Sequence, residues 1–404
     1  MNILFINQYY PPDTSATAHV AQMYVSALVE KHKVTVLAGR PSYGPTERYP
    51  WQLLDRSVDG KLVVERVGST SYGRDRMKGR VLNYLSYLTL MTVRALAIKV
   101  DALLCMTDPP LIGIAAAAVA TLRRRPFAYF VQDLHPDMAL AAGLLRKNVL
   151  VFLWEKVHRW ALRKATIVIV LGEDMKRLVA SKGVDEDRIK VIRLGACLDN
   201  SLMASKEHPK ALELRCGFSF TVFHAGNLGF YGSWETLIDA AKRLADEDIG
   251  FIFIGDGAAK DKIEKLAGSS KNIRIMPFRP ADEIPYVMAA GDLHVVTIKR
   301  GLEGMVVPSK LYSILSAGRP ILAVAPESSD VTQIVRQEQC GIAVDPDDPE
   351  ALAKAILDIR AQPEKLEMMG RKARSAAKKY HKEKGIEEFT GLVSSIATAK
   401  KVGR

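Results

Sequence analysis

Short apolar runs alternate with stretches of helical periodicity along the whole 404-residue chain. In the first half NILFINQ, KVTVLAG, KLVVERV, ALLCMT, FAYFVQ and TIVIVLG read as strands, and residues 18–31, 80–99 and 148–164 read as helices between them. Residues 191–217, with Gly195, Pro209 and Gly217, break the pattern and read as a linker. The alternation then restarts with TVFHAG, GFIFIG, IRIMPF, LHVVTI, PILAVA and GIAVDP, each followed by a helical pattern, and residues 363–400 close the chain as a charged helical stretch. Repeated βα units argue for parallel sheets. The prediction is an α/β chain of two Rossmann-like domains facing each other across a cleft, residues 1–200 and 201–384. A C-terminal helix, residues 385–404, is expected to pack back on the first domain. In such sheets ligands bind outside the carboxyl ends of the strands, so the chemistry is sought there.

The most apolar segments, residues 81–93 and 111–122, fall short of the roughly 20 residues that span a bilayer, and each is expected to be a helix buried in the domain, with an in-plane membrane contact as the alternative. The opening MNILFINQYY has no basic start and reads as a strand, which predicts no signal peptide. Hydrophobic content of 48% with 25% charged residues fits an ordinary globular protein. Cys105, Cys197, Cys216 and Cys340 show no paired spacing, so neither a disulfide framework nor a zinc site is expected. The charge is uneven. Residues 1–200 carry 28 lysines and arginines against 18 acidic residues, whereas residues 201–404 carry 29 against 27. An anionic partner would be drawn to the first half.

No G-x-G-x-x-G follows the first strand and no Walker loop is present, which argues against a dinucleotide cofactor. Instead, four strand ends of the second half carry glycine-rich or basic loops. These are His224-Ala-Gly-Asn-Leu-Gly229, Gly255-Asp-Gly257, Phe278-Arg-Pro280, and residues 301–310, which lead through Pro308 and Ser309 to Lys310. Glycines let the backbone approach a ligand, and a lysine at a helix start adds a full charge to the helix's partial one. The combination suits a phosphate or diphosphate.

In this order A-G-N-L-G, G-D-G, F-R-P and P-S-K-L-Y-S-I-L-S-A-G-R-P resemble the donor-binding half of retaining GT-B glycosyltransferases of family 4. N-Q-Y-Y-P-P-D and Q-D-L-H-P-D in the first half resemble loops of polyprenyl-linked sugar transferases of bacterial surface-polysaccharide pathways (O-antigen, capsule), of the L-fucosamine and colanic-acid types. The resemblance implies an acceptor-binding first domain and a donor-binding second domain. Lys310 would pair with the donor diphosphate, helped by backbone amides of Asn227, Leu228 and Gly229. Amides of Gly304, Met305 and Val306 would approach the sugar, with Glu303 and Ser309 beside them. Arg279 would meet the nucleotide base. His135, with Asp133 and Asp137, would lie near the transferred sugar and the acceptor, and Lys310, His135 and Asp133 would carry the catalysis.

Two departures from the family pattern concern the donor. Ser313 stands where a ribose-binding glutamate is common, and Asn227 where an arginine is common, which leaves more of the diphosphate charge to Lys310. The resemblance implies retaining transfer of a hexose, including an N-acetylated deoxyhexose, from a UDP-, GDP- or dTDP-sugar to a lipid-linked saccharide. It implies a cytoplasmic protein, peripheral at the inner face of the membrane through its basic first half. No Asp-x-Asp motif or His/Cys cluster calls for a metal, and no cofactor and no nucleic-acid partner are expected. Two rival readings are a sugar-nucleotide 2-epimerase on the same architecture and a non-catalytic nucleotide-sugar-binding protein.

Overall fold

In the computed structural model, which describes residues 1–42, 51–70, 72, 77–197 and 201–402, the apolar runs assemble into two separate sheets. The chain divides into two units, Met1–Ile192 with Gly385–Arg404, and Arg193–Lys384.

Unit 1 runs β1 (Asn2–Ile6), α1 (Ala16–Lys31), β2 (Lys33–Ala38), β3 (Leu54–Asp59), β4 (Leu62–Val67), α2 (Met77–Ala97), β5 (Ala102–Cys105), α3 (Ile112–Arg123), β6 (Phe127–Phe130), α4 (Asp137–Ala141), α5 (Val149–Lys164), β7 (Ile167–Val170), α6 (Glu173–Ser181) and β8 (Ile189–Val191). The sheet order is β3-β4-β2-β1-β5-β6-β7-β8. All neighbours are parallel except β3, which pairs antiparallel to β4. The central strands are buried on both faces, hence their continuous apolar runs. β3 (LDRSVD) is different. It is an exposed edge strand, and its charges protect the open edge from further pairing. That mixed pattern hid it from the sequence reading. Beside it, Glu65 is buried and held by both guanidinium arms of Arg94, at 2.7 and 2.8 Å, which offsets the desolvation of its carboxylate.

Unit 2 runs α7 (Pro209–Leu214), β9 (Phe220–Ala225), α8 (Trp234–Arg243), β10 (Ile249–Ile254), α9 (Lys260–Ala267), β11 (Ile273–Met276), α10 (Ile284–Ala290), β12 (Leu293–Thr297), α11 (Lys310–Ser316), β13 (Ile321–Val324), α12 (Asp330–Gln337), β14 (Gly341–Val344), α13 (Pro349–Arg360) and α14 (Pro363–Lys379). Its six parallel strands are ordered β11-β10-β9-β12-β13-β14. Arg193, the first residue of this unit, pairs with the buried Asp330 at the start of α12, at 2.7 Å.

Three expectations are corrected. Residues 191–217 are not all irregular: β8 ends at Val191, and α7 forms with Pro209 at its first helical position, where a missing N–H does no harm, under an N-cap by His208. The closing helical stretch breaks at Tyr380–His381, giving α14 and then α15 (Lys382–Val402). From Gly385 on, α15 belongs to unit 1, where Phe389 packs on Tyr24 and Phe130 at ring-centroid distances of 4.1 and 5.5 Å. Of the two apolar segments, α3 is largely buried, but α2 leaves Val81, Leu82, Leu85 and Val93 exposed. Among the described residues no helix is long and apolar enough to cross a membrane.

Candidate functional site

In both sheets the strand order reverses at one place, between β1 and β5 in unit 1 and between β9 and β12 in unit 2. Crevices at the carboxyl ends of strands beside such a reversal are the usual ligand seats of open α/β sheets. In unit 2 the two strands of the reversal supply a cation and its support. Lys310 begins α11, after the β12 loop, and reaches back so that its Nζ lies 2.7 Å from Nε2 of His224 near the end of β9. His224 is fully buried, its ring edge-on to Trp234 at 4.8 Å. Burial pushes the Lys310 ammonium down to about 7. Burial, and then the Lys310 charge, hold His224 well below the ordinary histidine value, so its ring is a neutral acceptor for the lysine.

Above this pair the main chain is packed on itself. Gly226 (φ +129°) lies against this pair: a Cβ there would stand in contact with Nζ of Lys310, at 3.6 Å, and its backbone conformation is one that other residues rarely adopt. A Cβ on Gly255 (φ +150°) would lie 1.9 Å from the Gly226 carbonyl oxygen, so only glycine lets the β9 and β10 loops meet here. These loops are locked by Gly226 N–H donating to Ile254 and Leu228 N–H to Asp256, both at 2.8 Å. Trp234 Nε1 donates to the Gly229 carbonyl at 2.7 Å. A separate cavity of about 780 Å³, between Phe220, Asp292, Arg319 and Arg374, opens at the amino ends of the strands, away from these loops.

In unit 1 the strand ends hold buried polar atoms without hydrogen-bond partners among the described residues. They are Asn7 Oδ1 and Gln8 Oε1 after β1, Thr107 Oγ1 after β5, and His135 Nδ1 after β6. Buried polar atoms are normally paired, so an unpaired set at adjacent strand ends marks a polar seat. Burial pushes His135 down to about 4, against the pull of Asp137, and the ring is neutral at pH 7. Burial and the nearby Asp108 carboxylate push Asp133 up to about 7. The His135 ring is stacked over Trp154 of α5 at 6.3 Å, and Lys182 holds the loop by pairing with Asp137 at 2.6 Å.

The family model for Glycosyl transferases group 1 matches residues 218–376, and that for the Glycosyl transferase 4-like domain matches residues 15–195, one in each unit. The chain is a GT-B glycosyltransferase of family 4. Among relatives of this glycosyltransferase, the Pseudomonas aeruginosa glycosyltransferase WbjE is 26% identical over 330 residues, 80% of this chain and 82% of its own. WcaI of Escherichia coli K12, described as a colanic acid biosynthesis glycosyl transferase, is 33% identical over 239 residues, 56% of this chain and 58% of its own. The crystal structure of Anabaena HepE in complex with UDP has the same fold. It covers 98% of this chain and 100% of its own at a TM-score of 0.69, with 17% identity.

Within the glycosyltransferase, the residues expected at a donor fall into four places of unit 2. Lys310, Asn227 and Gly229 lie with Gly226 around the β9–β12 reversal. Glu303, Gly304, Met305, Val306 and Ser309 belong to the loop after β12, where the Glu303 carboxylate accepts the Gly301 N–H at 2.7 Å. Ser313 is half-buried one turn into α11. Arg279, after the edge strand β11, approaches Glu283 at 3.8 Å beside the exposed ring of Phe278. Two expected amides are not available. Leu228 gives its N–H to Asp256 of the loop after β10, and Met305 gives its N–H to Leu302 at 3.1 Å in a local turn. The helix start contributes less than expected, since α11 has only seven residues and Ser309 makes no side-chain cap. The ammonium of Lys310 is the main charge. Asp133, His135 and Asp137 cluster in unit 1, where Asp137 serves as an ion-pair partner that fixes the loop. The sequence reading missed His224 as the support of Lys310, since 86 residues separate them, and it missed Asn7, Gln8 and Thr107.

Proposed function

We propose that this glycosyltransferase moves a hexose, with retention, from a nucleotide diphosphate sugar to a lipid-linked saccharide in surface-polysaccharide biosynthesis. The observation that carries the reading is the Lys310–His224 pair under Gly226 at the strand-order reversal of unit 2. A cation there stabilises charge on a departing diphosphate, the kind of contribution worth about 100-fold or more in rate. In the proposed step the bond between sugar C1 and the diphosphate oxygen breaks. The acceptor oxygen forms its bond to C1 on the same face, and the acceptor proton passes to the leaving phosphate oxygen. His135, neutral at pH 7, orients the sugar through hydrogen bonds and transfers no proton in this scheme. Arg279 and Phe278 face the base, and Ser313 the ribose. UDP as the nucleotide is favoured by HepE, whose structures hold UDP and UDP-glucose, and the pathway by the colanic acid role given to WcaI. A lipid-linked acceptor implies work at the inner membrane surface, to which the basic first half is suited.

The test incubates the protein with UDP-, GDP- and dTDP-hexoses and a polyprenyl diphosphate saccharide, and reads the anomeric configuration of the product by NMR. Transfer with an unchanged anomer is expected. An inverted product overturns retention. A free epimer formed from donor alone, or donor binding without turnover on any acceptor, overturns the transferase reading.

A further inference from the structure

Helix α5 has two faces that are both apolar, and only one is covered by the fold. Val151, His158, Ala161 and Leu162 are buried against the unit. On the opposite side Val149, Leu150, Phe152, Leu153 and Val157 are 73, 76, 63, 48 and 41% exposed. At 100° per residue these five side chains share one arc of the first two turns and the start of the third, preceded in the chain by Leu144, itself 61% exposed. Single exposed apolar residues need no explanation, but a contiguous patch of this kind marks a contact surface. The charges around it have one sign. Residues 144–164 hold Arg146, Lys147, Lys156, Arg159, Arg163 and Lys164, all exposed, against one acid, Glu155, which pairs with Arg159 and lies 3.7 Å from the Lys182 ammonium.

We propose that the outer face of α5, with the turn before it, docks this protein on an anionic lipid surface. The apolar N-terminal turns enter the headgroup region and the lysines and arginines lie on lipid phosphates. This rests on the membrane-linked acceptor reading above and names the surface it needs. An apolar stripe on a lysine- and arginine-rich helix is the pattern of in-plane interfacial helices. A second copy of the chain fits poorly, because a symmetric contact would set six cations of one face against six of the other. The inner face of the same helix holds the unit 1 site: Trp154 stacks on His135, and His158 meets the Tyr129 hydroxyl at 3.2 Å. Docking through α5 thus places the His135 loop one helix diameter from the bilayer that carries a lipid-linked acceptor.

The experiment measures binding of the full chain to phosphatidylethanolamine vesicles containing phosphatidylglycerol, by flotation, with phosphatidylcholine vesicles as the uncharged comparison. The wild type is expected to bind the anionic vesicles and to bind the uncharged ones weakly. Leu150→Ser with Phe152→Ser, at exposed positions where folding is retained, is expected to lower binding about tenfold or more. Arg163→Glu with Lys164→Glu is expected to lose about fivefold per residue on anionic vesicles, less at high salt. Wild-type binding by both double variants overturns the proposal, and so does a wild type that ignores anionic vesicles. So does a wild-type dimer in lipid-free buffer that the Leu150/Phe152 variant dissolves, or a soluble partner protein that competes with the vesicles for this face. Turnover on a short, water-soluble acceptor separates the two readings. The Leu150/Phe152 variant should retain it, and its absence from the wild type counts against the transferase reading while leaving vesicle binding as the measure of docking.

Discussion

Donor affinity should depend on pH through a single lysine. Burial lowers Lys310 to about 7, so the unliganded site holds its ammonium proton only part of the time at neutral pH. A bound diphosphate places an opposite charge against it and returns it to at least the ordinary lysine value of about 10.4. The sign follows from linkage. The bound state holds one more proton between about pH 7 and 10, so affinity is full below pH 7 and falls as pH rises through that window. With a free value of about 7 the protonated fraction is about 0.9 at pH 6, 0.1 at pH 8 and 0.01 at pH 9, so affinity should drop close to 100-fold from pH 6 to pH 9. A UDP-sugar is the right probe, since its diphosphate is a diester and does not itself titrate there. Calorimetry in buffers of different ionisation enthalpy should report about 0.9 proton taken up per sugar nucleotide at pH 8. Lys310→Arg, charged throughout, should bind with a flat profile. Wild-type affinity that is constant from pH 6 to pH 9, with no proton uptake, refutes the assignment of Lys310 to the diphosphate.

Lys310→Met should lower turnover by about 100-fold or more while raising the melting temperature of the unliganded protein by several degrees at pH 7, since a partly charged buried ammonium is removed. A melting scan with and without UDP-sugar reads both effects. Gly255→Ala, whose Cβ would meet the Gly226 carbonyl at 1.9 Å, should cost about 1–3 kcal/mol in denaturant unfolding and abolish donor binding. Asp133, raised to about 7, makes the folded protein lose stability as pH rises from about 4 to 7, with the loss complete above that; Asp133→Asn should flatten the profile and gain on the order of 2–4 kcal/mol at pH 8. Gly113→Ala would set a Cβ 2.2 Å from the Tyr129 ring, and this overpacking should destabilise the protein by about 1–3 kcal/mol without changing donor affinity.

The parallel strands were legible because strands covered on both faces are written as unbroken apolar runs. β3 was not, because Leu54–Asp59 is a charged edge whose role shows only beside β4. α7 was hidden by Pro209, a breaker inside a helix but harmless at its first position. The loops of the candidate donor seat could be read from their glycines and from Lys310. Their hydrogen bonds could not: whether Leu228 offers its N–H to a ligand depends on Asp256, which another strand brings to it. The same holds for His224, whose meaning comes from a lysine far along the chain. Periodicity located the apolar positions of α5 but not which side the fold would cover, since both sides carry them.

The contact between Gly226 and Gly255 sets where variation in this enzyme can act. The surroundings of Lys310 are shaped by main chain and by positions that disfavour a side chain, so if the proposed donor sits there, this part of the seat offers little to tell one sugar nucleotide from another. Discrimination has to be written in the loops flanking it, at Phe278 and Arg279 after β11 and at Glu303 and Met305 after β12. A library confined to those four positions should exchange one donor for another while leaving the diphosphate held as before, and one that reaches into residues 226 or 255 should yield proteins that hold no donor at all.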